Sequence, residues 1–286
     1  MFEPVIQTLP ASDGYPMHVA HWSALGTLKG RVLILHGVQS HGGWYRKLSG
    51  TLSSAGYEVT FPDRRGSGAN RQDRGHAPSS GRLIADVADV LRTLRERTPA
   101  VPIALAGISW GGKLVVLAAG KHPEMVDAIA LICPGLEPRV GVSRRERLRI
   151  ALAYFVRRRK TFPIPLADPA LFTANLEKQA FIVNDPLSLR EATAGLLAAS
   201  AFLDRRLKRI PPLVQQPALL MLAGQDRIVD NDRTLSYFER LASRDRRVIE
   251  YPEAHHTLEF EPDPDRYIQD LIAWLDEALV SPTPTG

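Results

Sequence analysis

Short apolar runs alternate with longer segments of helical periodicity along most of the chain. Runs such as "VLIL" and "IALA" place four apolar residues in a row, which is typical of strands buried on both faces of a sheet. The predicted strands of this kind cover residues 31–37, 57–63, 101–107, 126–134, 217–224 and 246–252. Residues 17–24 alternate between polar and apolar positions instead, and this pattern predicts an antiparallel edge strand.

The segments between these strands carry apolar residues three or four positions apart, as on one face of a helix. Three of them end at Gly56, Pro99 and Pro123, residue types that terminate helices. The predicted helices cover residues 44–56, 81–99, 110–123, 231–244 and 264–280. Strands and helices in alternation predict an α/β fold with a mostly parallel central sheet flanked by helices.

Residues 136–208 interrupt this alternation, because they contain several helical segments and no strand-like run. We predict a helical cap, inserted after the strand at about 126–133, over the carboxyl ends of the strands, where open α/β sheets bind ligands. The α/β core would then consist of residues 1–135 and 209–286. The apolar stretches of the cap predict its own small core and an apolar pocket beneath it. Residues 281–286 are predicted to fray.

The composition is consistent with one large α/β domain: 286 residues, of which 44% are hydrophobic and 23% charged. No apolar run approaches the length of a membrane span. The first residues lack the basic and apolar regions of a signal peptide, so a cytoplasmic location is expected. Cys133 is the single cysteine, which excludes an internal disulfide and a cysteine-based metal site. We expect no metal and no organic cofactor.

The formal charge of +5 is unevenly distributed, since residues 144–160 contain eight basic residues and one acid. This run is typical of a solvated helix flanked by arginines. The alternative is a basic amphipathic segment that touches anionic lipid surfaces weakly or steers acidic substrates. No recognised nucleic-acid-binding motif accompanies the charge, so a nucleic-acid partner is not expected. No sequence feature predicts an oligomeric state.

The stretch "GISWG", residues 107–111, places Ser109 between glycines, after a predicted strand and before a predicted helix. A sharp strand–turn–helix exposes the central serine, and the flanking glycines leave room for the neighbouring chain segments. A serine that only caps the helix is the alternative, and it implies nothing about distant residues. A nucleophilic Ser109, in contrast, requires an acid after a later strand and a histidine after the last one.

Residues of both required types are present in this order. Asp226 follows a predicted strand, and the pair His255 and His256 follows the last one. Only these two of the eight histidines lie beyond Asp226, so chain order limits the general base to this pair. The rival acids Asp230 and Asp232 begin the next predicted helix, where acids cap helices or offset the helix dipole. A serine hydroxyl needs an imidazole to take its proton, and a carboxylate must hold that imidazole.

An oxyanion site is predicted beside Ser109. Its donors are the backbone N–H groups of Val38, in the turn after the strand at 31–35, and of Trp110, which follows the serine. His36 is interpreted as a structural residue that supports this turn. His41, a candidate substrate-binding residue, is expected either to line the pocket or to lie in a polar loop.

Six motifs together resemble those of a known family: "LILHGVQSHGGWY", "FPDRRGSGAN", "GISWGG", "NDPL", "AGQDRIVD" and "YPEAHHTLEFE". With them, the chain resembles α/β-hydrolases of the monoglyceride lipase and lysophospholipase group over roughly residues 13–278. The family motif Y-x-G-A-x-H-x-L-x-x-E implies His256, rather than His255, as the catalytic histidine, with Glu253 where the family has glycine. The loop at 63–68 resembles the family turn D-x-x-G-x-G, and Asn70 follows where a serine is common.

The resemblance implies a serine hydrolase that cleaves monoacylglycerols, lysophospholipids or similar small acyl esters through an acyl-enzyme. An aminopeptidase, a lactonase or a thioesterase with the same triad remains an alternative, as does a non-catalytic small-molecule receptor of this fold. A haloalkane dehalogenase or epoxide hydrolase is disfavoured, because both need a carboxylate at the position of Ser109. An aminopeptidase would need acids in the cap to bind an ammonium group. The candidates are Glu137, Asp168, Glu177, Asp185 and Glu191.

Overall fold

The structure is a computed structural model that describes residues 3–280, so residues 281–286, for which fraying was predicted, lie outside it. The strands of the described residues are β1 (Val5–Pro10), β2 (Pro16–Trp22), β3 (Gly30–Leu35), β4 (Tyr57–Pro62), β5 (Ile103–Ile108), β6 (Ala128–Ile132), β7 (Thr161–Pro163), β8 (Glu191–Thr193), β9 (Ala218–Ala223) and β10 (Arg246–Tyr251). The α-helices are α1 (Arg46–Ser54), α2 (Ser80–Arg97), α3 (Gly111–Lys121), α4 (Arg144–Val156), α5 (Leu176–Asn184), α6 (Ala194–Leu207), α7 (Asn231–Phe238) and α8 (Asp265–Leu275).

Eight strands form the central sheet in the order β1-β2-β4-β3-β5-β6-β9-β10. The first two pairings, β1 with β2 and β2 with β4, are antiparallel, and the pairings from β4 to β10 are parallel. The strands β3, β4, β5, β6 and β9 are buried along their whole length, as expected for a sheet covered by helices on both faces. The prediction of a mostly parallel sheet flanked by helices is confirmed.

The edge strand β1 was not expected from the sequence. It pairs with β2 from Val5 opposite His21 to Pro10 opposite Pro16, so β2 is antiparallel as predicted but is not the edge. The side chains of Val5 and Ile6 are more than half exposed. Because β1 buries little apolar surface, its sequence lacks the continuous apolar run of a central strand.

The segment between β6 and β9, which we call the insertion (residues 136–208), contains α4, α5 and α6. It also contains β7 and β8, which form a separate antiparallel pair, so the expectation that this segment has no strand is wrong. Each of these strands has three residues, which is too short to produce a periodic pattern. Thr193 is the last residue of β8, and its side chain caps α6 by accepting a hydrogen bond from the Leu196 N–H. A separate cap domain with these bounds stays a prediction.

The parallel strands bring four loops to one edge of the sheet. The strands β3, β5, β9 and β10 end there at Leu35, Ile108, Ala223 and Tyr251, and the insertion leaves β6 at the same edge. Each of these four loops carries a candidate site residue predicted from the sequence: Val38, Ser109, Asp226 and His256. This carboxyl edge is where open α/β sheets bind their ligands.

Candidate active site

The turn between β5 and α3 holds Ser109 in a strained backbone conformation. Its φ of 52° lies in the left-handed region, which residues with a side chain adopt rarely. A Cβ on Gly111 would collide with the carbonyl oxygen of Leu35, and a Cβ on Gly107 would lie 2.8 Å from the Cα of Gly112. The turn therefore requires glycine on both sides of the serine, as the motif indicates.

Ser109, His256 and Asp226 form a continuous hydrogen-bonded chain. The Oγ of Ser109 lies 2.8 Å from Nε2 of His256, and Nδ1 of His256 lies 2.7 Å from Oδ2 of Asp226. The other carboxylate oxygen, Oδ1, accepts from the backbone N–H groups of Ile228 and Val229 at 2.8 and 2.9 Å. These two bonds fix the buried carboxylate, so that Nδ1 of His256 donates to it and Nε2 faces the serine proton.

The competing residues lie outside this chain of hydrogen bonds. The Nδ1 of His255 faces Glu261 at 3.4 Å. Asp230 caps α7 by accepting from the N–H of Arg233, and Asp232 lies in the first turn of that helix. The structure thus brings Ser109, Asp226 and His256 together and leaves His255, Asp230 and Asp232 apart from them.

Two backbone N–H groups beside Ser109 are available to a ligand. Val38, Ser109 and Trp110 line one cavity. In residues 3–280 neither the N–H of Val38 nor that of Trp110 has a hydrogen-bond acceptor. Backbone donors in folded proteins are nearly always paired, so two unpaired donors next to Ser109 favour a site for a substrate oxyanion.

His36 supports the turn that carries Val38. Its Nδ1 lies 2.7 Å from the carbonyl oxygen of Gly37, and its Nε2 accepts from the backbone N–H of Arg64 at 2.8 Å. Burial, together with the nearby Arg64 charge, lowers the pKa of His36 to about 3. The ring therefore stays neutral and acts as a hydrogen-bonded spacer in the turn.

His41 is not part of the lining of the cavity at Ser109, and its role as a substrate-binding residue stays a prediction. It is buried, its Nδ1 accepts from the N–H of Gly43 at 3.1 Å, and its Nε2 lies 3.0 Å from Oδ2 of Asp185. Both ring nitrogens are therefore occupied by the protein. The contact joins residues that lie 144 positions apart, and sequence spacing carries no signal for such a pair.

Asp185 of the "NDPL" motif joins the insertion to the loop after β3. Besides His41, its Oδ2 accepts from Trp44 Nε1 at 2.7 Å and from Ser188 Oγ at 2.8 Å. Burial alone would raise the pKa of Asp185, but the hydrogen bonds from His41 and Trp44 outweigh it and hold the pKa well below its usual range. The carboxylate is thus a structural anchor that the residue pattern alone did not reveal.

A cavity of about 600 Å³ opens at Ser109 between the core and the insertion. The walls that the insertion supplies are mostly apolar, with side chains from α4 and α6 such as Ile150, Tyr154, Leu196 and Phe202. Among the charged groups of the lining are Lys113 and Asp204, which form an ion pair with each other. Ligand pockets are typically of this size and mostly apolar, with few polar anchors.

Fold and site together define an α/β-hydrolase with a serine at the nucleophile position. A family model described as "Serine aminopeptidase, S33" matches residues 26–263, and the chain belongs to this family. It is 27% identical to the monoglyceride lipase of Mus musculus over 276 residues, 94% of this chain and 90% of the relative. It is 23% identical to the monoacylglycerol lipase of Mycolicibacterium smegmatis over 256 residues, 89% of this chain and 90% of the relative.

Solved structures share the fold. The monoacylglycerol lipase of Paleococcus ferrophilus superimposes with a TM-score of 0.81 at 23% identity, covering 91% of this chain and 98% of the other. A soluble variant of the monoglyceride lipase of Saccharomyces cerevisiae gives 0.84 at 20% identity, covering 98% and 97%. The resemblance to the monoglyceride lipase group is confirmed, the chain is an enzyme of the α/β-hydrolase class, and the similarity supports ester hydrolysis.

Proposed function

We propose that this protein is a serine hydrolase that cleaves monoacylglycerols or similar small acyl esters. The observation that carries this proposal is the apolar cavity of about 600 Å³ that opens at Ser109. Ser109 is already hydrogen-bonded to His256, which is bonded to Asp226. An uncharged acyl chain fits such walls, and the relatives named monoglyceride and monoacylglycerol lipases support the same substrate class.

Acylation follows from the geometry. Ser109 Oγ attacks the ester carbonyl carbon while its proton passes to Nε2 of His256. The π electron pair of the carbonyl moves to its oxygen, and the N–H groups of Val38 and Trp110 stabilise the negative charge. Asp226 stabilises the imidazolium. The intermediate then collapses, and the alcohol leaves with the proton from His256, so the acyl group remains on Ser109.

Deacylation repeats these steps with water as the nucleophile. His256 takes a proton from the water molecule that attacks the acyl carbon, and the same two N–H groups hold the second oxyanion. Collapse breaks the bond to Ser109 Oγ, which recovers its proton from His256, and the fatty acid leaves. The residues named here complete the cycle for an ester without a further reactant besides water.

The charges around the cavity favour this proposal over an aminopeptidase, which must bind the ammonium group of its substrate. None of the five acids considered for that role lines the cavity: Glu137, Asp168, Glu177, Asp185 and Glu191. Among the described lining residues, Asp204 is the one acid, and Lys113 already neutralises it. A substrate ammonium therefore finds no free carboxylate here.

Hydrolysis should become more efficient as the acyl chain grows. Each methylene buried in an apolar site contributes about 0.8 kcal/mol, which is roughly a fourfold gain per methylene. We expect kcat/KM for p-nitrophenyl esters to rise about fourfold with each methylene added to the acetate ester, until the acyl chain fills the cavity. Fatty-acid release from a monoacylglycerol should show the same trend.

Substrates of the alternative classes serve as controls in that measurement: an aminoacyl p-nitroanilide, a lactone and an acyl thioester. An unchanged kcat/KM along the ester series, combined with faster hydrolysis of one of these controls, would replace the proposed substrate class by that of the control. An absence of turnover on every substrate would favour the receptor alternative.

The outer face of α4 supports a second part of the proposal, a peripheral contact with anionic lipid surfaces. Leu148 and Leu152 lie one helical turn apart and are 72% and 66% exposed, and Phe155, which also lines the cavity, is 82% exposed. They lie within the segment 144–160 and its eight basic residues. Exposed apolar side chains flanked by arginines are typical of helices that bind membrane surfaces.

No helix of residues 3–280 is long and apolar enough to cross a bilayer. The cytoplasmic location stays a prediction.

Replacing Arg144 and Arg145 together by glutamine should weaken binding to anionic phospholipid vesicles. Each arginine near such a surface contributes about 1 kcal/mol, so the double variant should bind about 30-fold more weakly in a sedimentation assay. Turnover of a small soluble ester should not change. The matched control, Arg244 and Arg266 to glutamine, removes the same charge elsewhere. If both double variants lost vesicle binding equally, the net charge of the protein would explain the binding, and a contact through α4 would be contradicted.

A further inference from the structure

The peptide between Gly37 and Val38 supplies one of the two proposed oxyanion donors, the Val38 N–H. The carbonyl oxygen of the same peptide is hydrogen-bonded to side chains of the protein. The oxygen of Gly37 accepts from Nη1 of Arg64 at 3.0 Å, and Nδ1 of His36 lies 2.7 Å from it. A peptide unit is planar and trans, so its C=O and N–H point in opposite directions. Fixing the Gly37 oxygen therefore fixes the direction of the Val38 N–H.

The same guanidinium contacts the rest of the oxyanion site. Nη2 of Arg64 donates to the carbonyl oxygen of Val38 at 3.0 Å, which fixes the following peptide as well. The guanidinium carbon also lies 4.7 Å from the ring centroid of Trp110, whose backbone N–H is the second proposed donor. A planar guanidinium forms two directed hydrogen bonds and stacks on an indole at once, which an ammonium group cannot do.

Arg64 is placed so that it acts as a fixed positive charge. Its side chain is buried, and burial lowers its pKa to about 10 although the neighbouring Asp63 opposes this, so it remains protonated at neutral pH. A donor bonded to a peptide carbonyl polarises that peptide and strengthens its N–H as a donor. The charge and the Nη1 hydrogen bond thus act on the peptide that presents the Val38 N–H, and the Nη2 hydrogen bond acts on the peptide that follows it.

The neighbouring Arg65 has a different environment, although it has the same side chain and is also buried. It binds Asp86 through Nε at 2.9 Å and Nη2 at 2.8 Å, and Nη2 lies 2.9 Å from Asp13. Its guanidinium lies 4.2 Å from the ring centroid of Tyr15. Arg65 therefore offers a matched control on the same loop without a contact to Val38 or Trp110.

We infer that Arg64 is the positioning residue of the oxyanion site, orienting and polarising the peptide that presents the Val38 N–H and fixing Trp110. This inference rests on the proposed function. Since Arg64 acts through backbone donors on the developing oxyanion, it affects the transition state more than the bound ester. Its position is one of the variable residues in the D-x-x-G-x-G turn, which explains why the motif did not identify it.

The test compares Arg64→Met, Arg64→Lys and Arg65→Lys on a short soluble ester. Loss of one oxyanion donor costs about 10²–10³-fold in kcat, and misorientation of a donor costs less, so Arg64→Met should lower kcat about 10- to 100-fold with KM within twofold. Arg64→Lys keeps the charge and should lie between wild type and Arg64→Met. Arg65→Lys should lower the melting temperature and leave kcat within twofold.

A second readout separates positioning from general disorder. A trifluoromethyl ketone forms an oxyanion on Ser109, whereas an alkyl alcohol occupies the cavity without one. Arg64→Met should weaken binding of the ketone by the same factor as kcat and leave binding of the alcohol unchanged.

The outcomes of these measurements are distinct. A wild type that does not hydrolyse esters would overturn the proposed function, and the ketone would then still report on Arg64. An active wild type with unchanged kcat and ketone binding in both Arg64 variants would overturn the inference. If Arg64→Met does not fold, Arg64→Lys decides: a loss of kcat no greater than that of Arg65→Lys contradicts the role of Arg64.

Discussion

Replacing Ser109 by alanine is expected to lower kcat for ester hydrolysis on the order of 10⁴-fold or more, because the variant lacks the oxygen that forms the acyl-enzyme. The Ser109 Oγ is the atom that His256 contacts at 2.8 Å, and Val38 and Trp110, whose backbone N–H groups have no acceptor within residues 3–280, line the same cavity as Ser109. Turnover of p-nitrophenyl butyrate by purified wild type and variant measures the effect.

Ser49 offers a matched control for this substitution. It is a buried serine in α1 whose Oγ donates to the carbonyl oxygen of Tyr45 at 2.9 Å and not to a residue of the triad. Ser49→Ala should lose stability only and keep its turnover, whereas Ser109→Ala should melt near the wild-type temperature and lose turnover. An active Ser109→Ala variant would place the nucleophile elsewhere.

The second large effect distinguishes two adjacent histidines. His256→Ala is expected to lower kcat about as far as Ser109→Ala, since a nucleophile and its base act as a unit. His255→Ala should be far milder, because its Nδ1 faces Glu261 rather than the serine. The pair is a matched comparison, as both variants remove the same ring from consecutive positions of one loop. Steady-state kinetics on the same ester measures both.

Asp226→Asn should give a loss of kcat between these two. The amide keeps the shape of the side chain but no longer holds the His256 ring in the tautomer that leaves Nε2 free to accept the serine proton. If His255→Ala were the inactive variant and His256→Ala kept most of its activity, the base would be assigned to the wrong histidine. Ser109 would keep its role in that case.

The inner strands of the central sheet could be predicted because they are buried on both faces. Runs such as residues 32–35 are then apolar at every position, and this pattern is visible without knowledge of the partner strands. The edge strand β1 and the pair β7–β8 were missed for the opposite reason. They bury little surface or span three residues, so that pairing with distant segments decides their structure.

The candidate site divides along the same line. Chain order and local motifs were sufficient to single out Ser109, Asp226 and His256, because each lies in a loop that follows a strand of the central sheet. They did not reveal that Asp185 is hydrogen-bonded to His41 or that Arg64 contacts the turn after β3. Both contacts join segments that lie far apart in the chain. The sequence around a polar loop residue does not indicate which distant residue will be its hydrogen-bond partner.

A fluorophosphonate probe tests the central claim most directly, because it reacts covalently with a serine only where a base activates it and an oxyanion site holds the product. We predict that the wild-type protein is labelled once, that peptide mapping places the label on Ser109, and that Ser109→Ala and His256→Ala are not labelled. Labelling of another residue in the wild type, or undiminished labelling of Ser109→Ala, would contradict the account.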